Sequence, residues 1–135
     1  MSLDNVLSGF NVSGSGMAAE RARLDVIAGN IANATVNSDS PQGPYRRRRV
    51  VFQTLLDREA LGAQRSAVDG VKVLRIEKDF DNPLIEVEEN GRTVYYPNVN
   101  VAMEMTHMIT ALRTYEANAL ASQTLKNMAQ RALRS

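Results

Sequence analysis

Apolar positions at the amino end of the chain fall at spacings of four and three: Leu3, Leu7 and Phe10, then Met17, Leu24, Ala28 and Ile31, with Gly14 and Arg21 as the breaks. That spacing predicts a helix with one apolar seam. A straight helix drifts about 20° per heptad against such a seam, so the seam stays on one partner only if the pair supercoils. Gly9, Gly14 and Gly16 interrupt the same segment, each costing about 1 kcal/mol relative to Ala in a helix interior. The helix is therefore expected to need a partner; the alternative is a glycine loop with the helix starting near Met17.

The carboxyl end has a similar pattern. Pro97 marks a boundary, Asn100 is placed to cap, and Glu104 suits the positive end of a helix dipole. Val101, Met105, Met108, Leu112, Tyr115 and Ala119 fall within an arc of about 80° on a helical wheel. Ala121, Leu125, Met128 and Ala132 lie on nearly the opposite side. The first set is expected to pair with the amino-terminal seam, and Leu125 and Met128 to face another chain. Between the helices, residues 35–44 read as a loop, Val50 to Phe52 as a short apolar run, and Gly70 to Ile76 as a strand. Ile85 to Glu89 and Arg92 to Tyr96 flank Asn90-Gly91, the preferred dipeptide of a two-residue hairpin. The expected fold is mainly α with a small β middle (α+β): helix over 1–34, loop and strands over 35–98, helix over 99–135. Helices of about 45 and 54 Å, at 1.5 Å per residue, are too long for so small a middle to cover. The pattern implies a subunit of an assembly.

Composition narrows the chemistry. The 135 residues contain no Cys, which removes disulfides and thiolate chemistry, and a single His, His107, which is too few for most zinc sites. Met103, Met105, His107 and Met108 could suggest a soft-metal site, but on a helix Met103 and His107 share one face while Met105 and Met108 point away. No metal, cofactor or catalytic role is expected: Gly9, Gly14 and Gly16 are followed by no Gly-Lys-Ser, and no Gly-x-Ser-x-Gly elbow occurs. Residues 1–20 hold no Lys or Arg, and their apolar positions are broken by polar ones, so a signal peptide or membrane span is not expected. Net charge is −2 over residues 1–45, +4 over 46–65, −3 over 66–99 and +2 over 100–135. One short basic run followed by an acidic stretch is a weak footprint for nucleic acid. Arg46, Arg47, Arg48 and Arg49 are instead expected to meet acids of a neighbouring subunit, such as those between Asp79 and Glu89.

Leu24-Asp25-Val26-Ile27-Ala28-Gly29-Asn30-Ile31-Ala32-Asn33-Ala34 resembles the amino-terminal signature of bacterial flagellar rod, hook and hook-associated axial proteins. Pro97-Asn98-Val99-Asn100-Val101, with Glu104-Met105 and Arg113-Thr114-Tyr115-Glu116-Ala117-Asn118 after it, is similar to their carboxyl-terminal signature. Length and the blocks Pro44-Tyr45-Arg46-Arg47 and Gly70-Val71-Lys72-Val73 look most like a proximal-rod member. Asn100 stands where many members have Asp, and residues 78–96 form a shorter segment than the family usually carries. The resemblance implies terminal helices paired as a coiled coil, copies stacking with other rod proteins in the periplasm, export through the flagellar type III apparatus, and a mechanical role. By the same resemblance Asn30, Asn33, Asn98 and Asn118 are candidate helix-end or inter-subunit hydrogen bonders, with ordinary capping the alternative for Asn33 and Asn98. A distal-rod or hook-associated subunit is the alternative, and a helical nucleic-acid module using Arg46 to Arg49 a more distant one.

Overall fold

A computed structural model describes residues 3–56 and 68–134 of the chain. The elements run α1 (Leu3–Ala32), β1 (Arg48–Leu56), β2 (Val68–Lys78), β3 (Ile85–Glu89), β4 (Arg92–Tyr96) and α2 (Val101–Arg134). The two long helices pack on each other, and two antiparallel two-stranded sheets, β1–β2 and β3–β4, lie between them in sequence. The architecture is the α+β one expected.

The first helix passes through Gly9, Gly14 and Gly16 without a break, so the glycine-loop alternative does not hold. The second starts as expected: the Asn100 side chain accepts a hydrogen bond from the Met103 amide at 3.1 Å, and Arg131 and Arg134 occupy the negative end of the dipole. In the β3–β4 hairpin Asn90 and Gly91 both take positive φ, 51° and 76°, the conformation a type I′ turn demands. β1 and β2 are longer than the apolar runs suggested, because a ribbon exposed on one side continues through polar residues such as Arg49, Gln53 and Arg75.

The buried positions of α1 correct the expected seam. Val6, Ser13, Glu20 and Ile27 are buried at intervals of seven, with Asn30 completing the row. Leu7 (52% exposed) and Ala28 face outward, and Phe10, Met17, Leu24 and Ile31 are half-buried. The side chain of Leu3 lies outside the described residues. The period is right and the phase is one residue late. A parallel shift holds on α2: Glu104 and Ala111 are buried while Met105 and Leu112 are about half exposed, and Val101, Met108, Tyr115 and Ala119 are half-buried.

Gly9 and Gly16 supply the reason. A Cβ built at Gly9 would sit 2.8 Å from the Leu125 Cδ1, and one at Gly16 would sit 2.7 Å from the Asn118 amide. At these two positions side chains of α2 therefore come against the bare backbone of α1, and the bulkier stripe of α1 is turned aside. Seven residues from Gly9 to Gly16 match seven from Leu125 back to Asn118, and Asn30 meets Glu104 further along, so the helices run antiparallel in one unbroken register. Leu125 and Asn118, expected to face other subunits, lie against α1 of their own chain. Met128 is half-buried.

The first sheet packs on α1. The Val71 amide donates to the Ser15 Oγ at 3.0 Å, and that hydroxyl donates to the Val12 carbonyl at 2.8 Å. Gly70, at φ 136°, is required both by its backbone and by the Ser15 side chain against it. The β3–β4 hairpin packs on no helix or other strand among the described residues; its tie is a two-bond bridge from Ser38 to Tyr95.

Candidate assembly interface

Asn30, with no exposure at all, is the centre of a buried polar node. Its amide nitrogen donates to the Arg48 carbonyl (2.8 Å) and to Glu104 Oε2 (3.3 Å); its carbonyl oxygen accepts from the Tyr45 hydroxyl (2.7 Å) and the Arg48 amide (2.9 Å). Every hydrogen-bonding position of the amide is filled. Glu104, 1% exposed, takes the Arg47 guanidinium on its other oxygen. One cluster thus ties α1, the strand entry and α2 together. Burial pushes the Tyr45 hydroxyl above its ordinary pKa, so it remains a donor at neutral pH.

The node sorts the arginine run by the alternation of an extended chain. Arg47 turns inward to Glu104, and Arg49 reaches Glu77 (3.1 Å) and Asp81 (4.0 Å). These two, expected at a subunit interface, are paired within the chain. Arg46 and Arg48 lie over aromatic rings, 4.8 Å from the Phe80 centroid and 5.7 Å from that of Tyr45. Asn33, just past the last residue of α1, donates to the Gly29 carbonyl at 2.8 Å, a helix-end contact within the chain. In the acidic stretch Asp79 is buried, and its carboxylate accepts from the Asn82 side chain (2.7 Å) and from the Asp81 and Asn82 amides.

The Asn82 amide side chain is the largest influence holding the Asp79 carboxyl below its ordinary pKa of 3.8, with the Asp81 and Asn82 backbone N–H groups and Arg47 adding to it against the cost of burial. A lowered folded value contributes stability at neutral pH that is lost as pH falls through the acid range. Unfolding free energy is therefore expected to drop on acidification below about pH 4, and Asp79→Asn to flatten that drop. Denaturant titrations at a series of pH values measure it; an identical acid dependence in the variant would remove Asp79 from the account.

The surface left over is apolar. Met105 (51%), Ile109 (54%), Leu112 (43%) and Leu120 (69%) are exposed along one side of α2, whereas the buried apolar side chains among the described residues are Val6, Ala19, Ile27, Val94 and Ala111. A chain that exposes larger apolar groups than it buries is built to be covered by something else. No group of three or more metal-competent side chains occurs among the described residues, and no helix there is long and apolar enough to cross a membrane.

Comparison with known proteins matches this layout at both ends. Residues 10–36, most of α1, match the family described as flagella basal body rod protein, and residues 92–135, covering β4 and α2, match the flagellar basal body rod FlgEFG protein C-terminal family. The flagellar basal-body rod protein FlgC of Borreliella burgdorferi is 34% identical, with 95% of each chain covered. Those of Salmonella typhimurium (36%, 91% of this chain and 92% of the relative) and Bacillus subtilis (35%, 92% and 93%) are similar over nearly as much. With both helical ends matched and relatives 34–36% identical over more than nine-tenths of the chain, the chain belongs to the FlgC family of flagellar basal-body rod proteins.

Proposed function

We propose that this chain is a structural subunit of the proximal flagellar rod, stacking with copies of itself and with other rod proteins in the periplasm, transmitting torque and lining the export channel. The observation that carries the reading is the exposed row Met105, Ile109, Leu112 and Leu120 on a helix whose opposite side is already used by α1. Burying such a row against neighbours contributes about 25 cal/mol per Å² of apolar surface, repeated at every subunit. The mechanics follow from the node: a load on α2 passes to α1 and the strands through Glu104, Asn30 and Arg47.

Passage through a type III apparatus requires an unfolded chain, and this chain suits it. Its buried apolar set among the described residues is small, and no Cys can form a crosslink. The similarity of its relatives, all named as rod proteins, favours a non-enzymatic role.

The test is complementation of cells that lack their own copy. The wild-type chain is expected to restore rods and motility. Ile109→Asp with Leu112→Asp is expected to abolish both, while the purified variant keeps the circular dichroism of the parent, because the charges fall on exposed positions. Normal motility in that variant would show that the row stays uncovered in the rod.

A further inference from the structure

Arg46 and Arg48 border an open groove of about 400 Å³ completed by Pro41, Tyr45, Lys78 and Phe80. The two guanidinium groups rest over aromatic faces, and among the described residues no carboxylate lies within ion-pair distance of Arg46, Arg48 or Lys78, although Arg47 has one and Arg49 two. Cations stacked this way are held in place with their N–H edges still available to an acceptor.

The same chain displays the complementary pattern elsewhere. All five residues of β3 are exposed, and Glu86 and Glu88 share one face of that strand, opposite Tyr95 and Thr93. Two residues apart on a strand is about 7 Å, the spacing at which Arg46 and Arg48 recur along their own extended segment. Among the described residues Glu86 and Glu88 have no ion pair, and the outer edge of β3 has no strand beside it; the outer edge of β4 is occupied by Ser38. An acidic edge repels a copy of itself and accepts a basic surface.

We propose that β3 of a second copy of this chain docks in this groove, Glu86 and Glu88 meeting Arg46 and Arg48. The inference rests on the rod reading and says which surfaces of successive copies touch. Because the two surfaces are different patches of one chain, the contact is head-to-tail, which propagates along a stack and need not close into a dimer. Each exposed pair multiplies association no more than about fivefold, so the contact sets register in the assembled rod and does not hold a dilute dimer together.

Cysteine pairs test this in the assembled state, since the native chain contains none. Arg48→Cys and Glu88→Cys are placed together in the full-length chain, expressed in cells lacking their own copy, and the isolated basal bodies are treated with a short bismaleimide. That reagent is preferred because a guanidinium–carboxylate pair holds backbones further apart than a disulfide spans. A ladder of chain-to-chain products is expected, absent when either cysteine is present alone. In parallel, Arg46→Glu with Arg48→Glu is expected to reduce motility severely, and adding Glu86→Arg with Glu88→Arg to restore it. Monomer alone from rods that form normally overturns the contact and leaves the rod reading standing; a product joining this chain to a different protein overturns the choice of a second copy. Failure of the unmodified chain to enter basal bodies overturns both.

Discussion

Replacing Glu104 by alanine is expected to destabilise the folded chain by about 3 kcal/mol, the lower end of the range for breaking a buried ion pair. The carboxylate is 1% exposed, and its loss strands the Arg47 guanidinium and one of the two bonds donated by the Asn30 amide. Arg47 keeps a quarter of its side chain in solvent, which is why the higher values do not apply. Against a typical total of about 5–15 kcal/mol, the change removes a large share of stability. Removing both charges is different: Arg47→Met with Glu104→Leu is expected to fall within about 1 kcal/mol of the parent or above it, since the desolvation cost of both ions is removed with their attraction. Denaturant midpoints for Arg47→Met alone, Glu104→Leu alone and the two together close a thermodynamic cycle. If the double variant were as unstable as the single one, the apolar packing of the site, and not the charge pair, would be what Glu104 supports.

That pair also marks where reading the sequence reached its limit. Asn30 stands out in the amino-terminal signature, and Glu104 in the carboxyl-terminal one, but nothing in either pattern says that they touch. Arg47 is harder still: in a run of four arginines every member reads alike, as a partner for a neighbouring subunit's acids, and only the alternation of the extended backbone sends Arg47 to Glu104 and Arg46 to the Phe80 ring. The β3–β4 hairpin was fully legible because Asn90-Gly91 determines its turn locally. The helices were legible in period and extent.

Their phase was not, for a physical reason. Periodicity weights positions by apolar bulk, and bulk marks the seam only where helices pack at an ordinary distance. Here the residues of α1 that meet Leu125 and Asn118 of α2 are Gly9 and Gly16, so on α1 the row that touches carries the least side chain. The signal available was the recurrence of small and polar residues every seven positions, one step ahead of the large ones. The two apolar faces read along α2 have the same origin: on a straight wheel Leu125 drifts away from Glu104, yet both partner α1 in the same register.

The glycines make that account quantitative, because each has a different surrounding. With nothing within 4 Å of a Cβ at Gly14, Gly14→Ala is expected to stabilise α1 by about 1 kcal/mol through helix propensity alone. At Gly9 the same gain is opposed by the Leu125 methyls at 2.8 and 3.3 Å, and at Gly16 by the Asn118 amide at 2.7 Å. Both are ends of flexible side chains, so alanine at either site is expected to be near neutral. Leucine cannot be accommodated by such shifts: Gly16→Leu must drive the helices apart along the stripe, and the expected loss is about 3 kcal/mol or more, the upper range for overpacking. It also misaligns Asn30 with Glu104, so amide exchange at the Arg48 N–H, which donates to Asn30, should accelerate together with global unfolding. Coupling decides between close approach and propensity. Leu125→Ala costs stability alone, but in its presence Gly9→Ala should recover most of the propensity gain, because the methyls that opposed it are gone. Strict additivity of those two substitutions would mean that Gly9 and Leu125 do not touch, and the antiparallel register built on that contact would have to be redrawn.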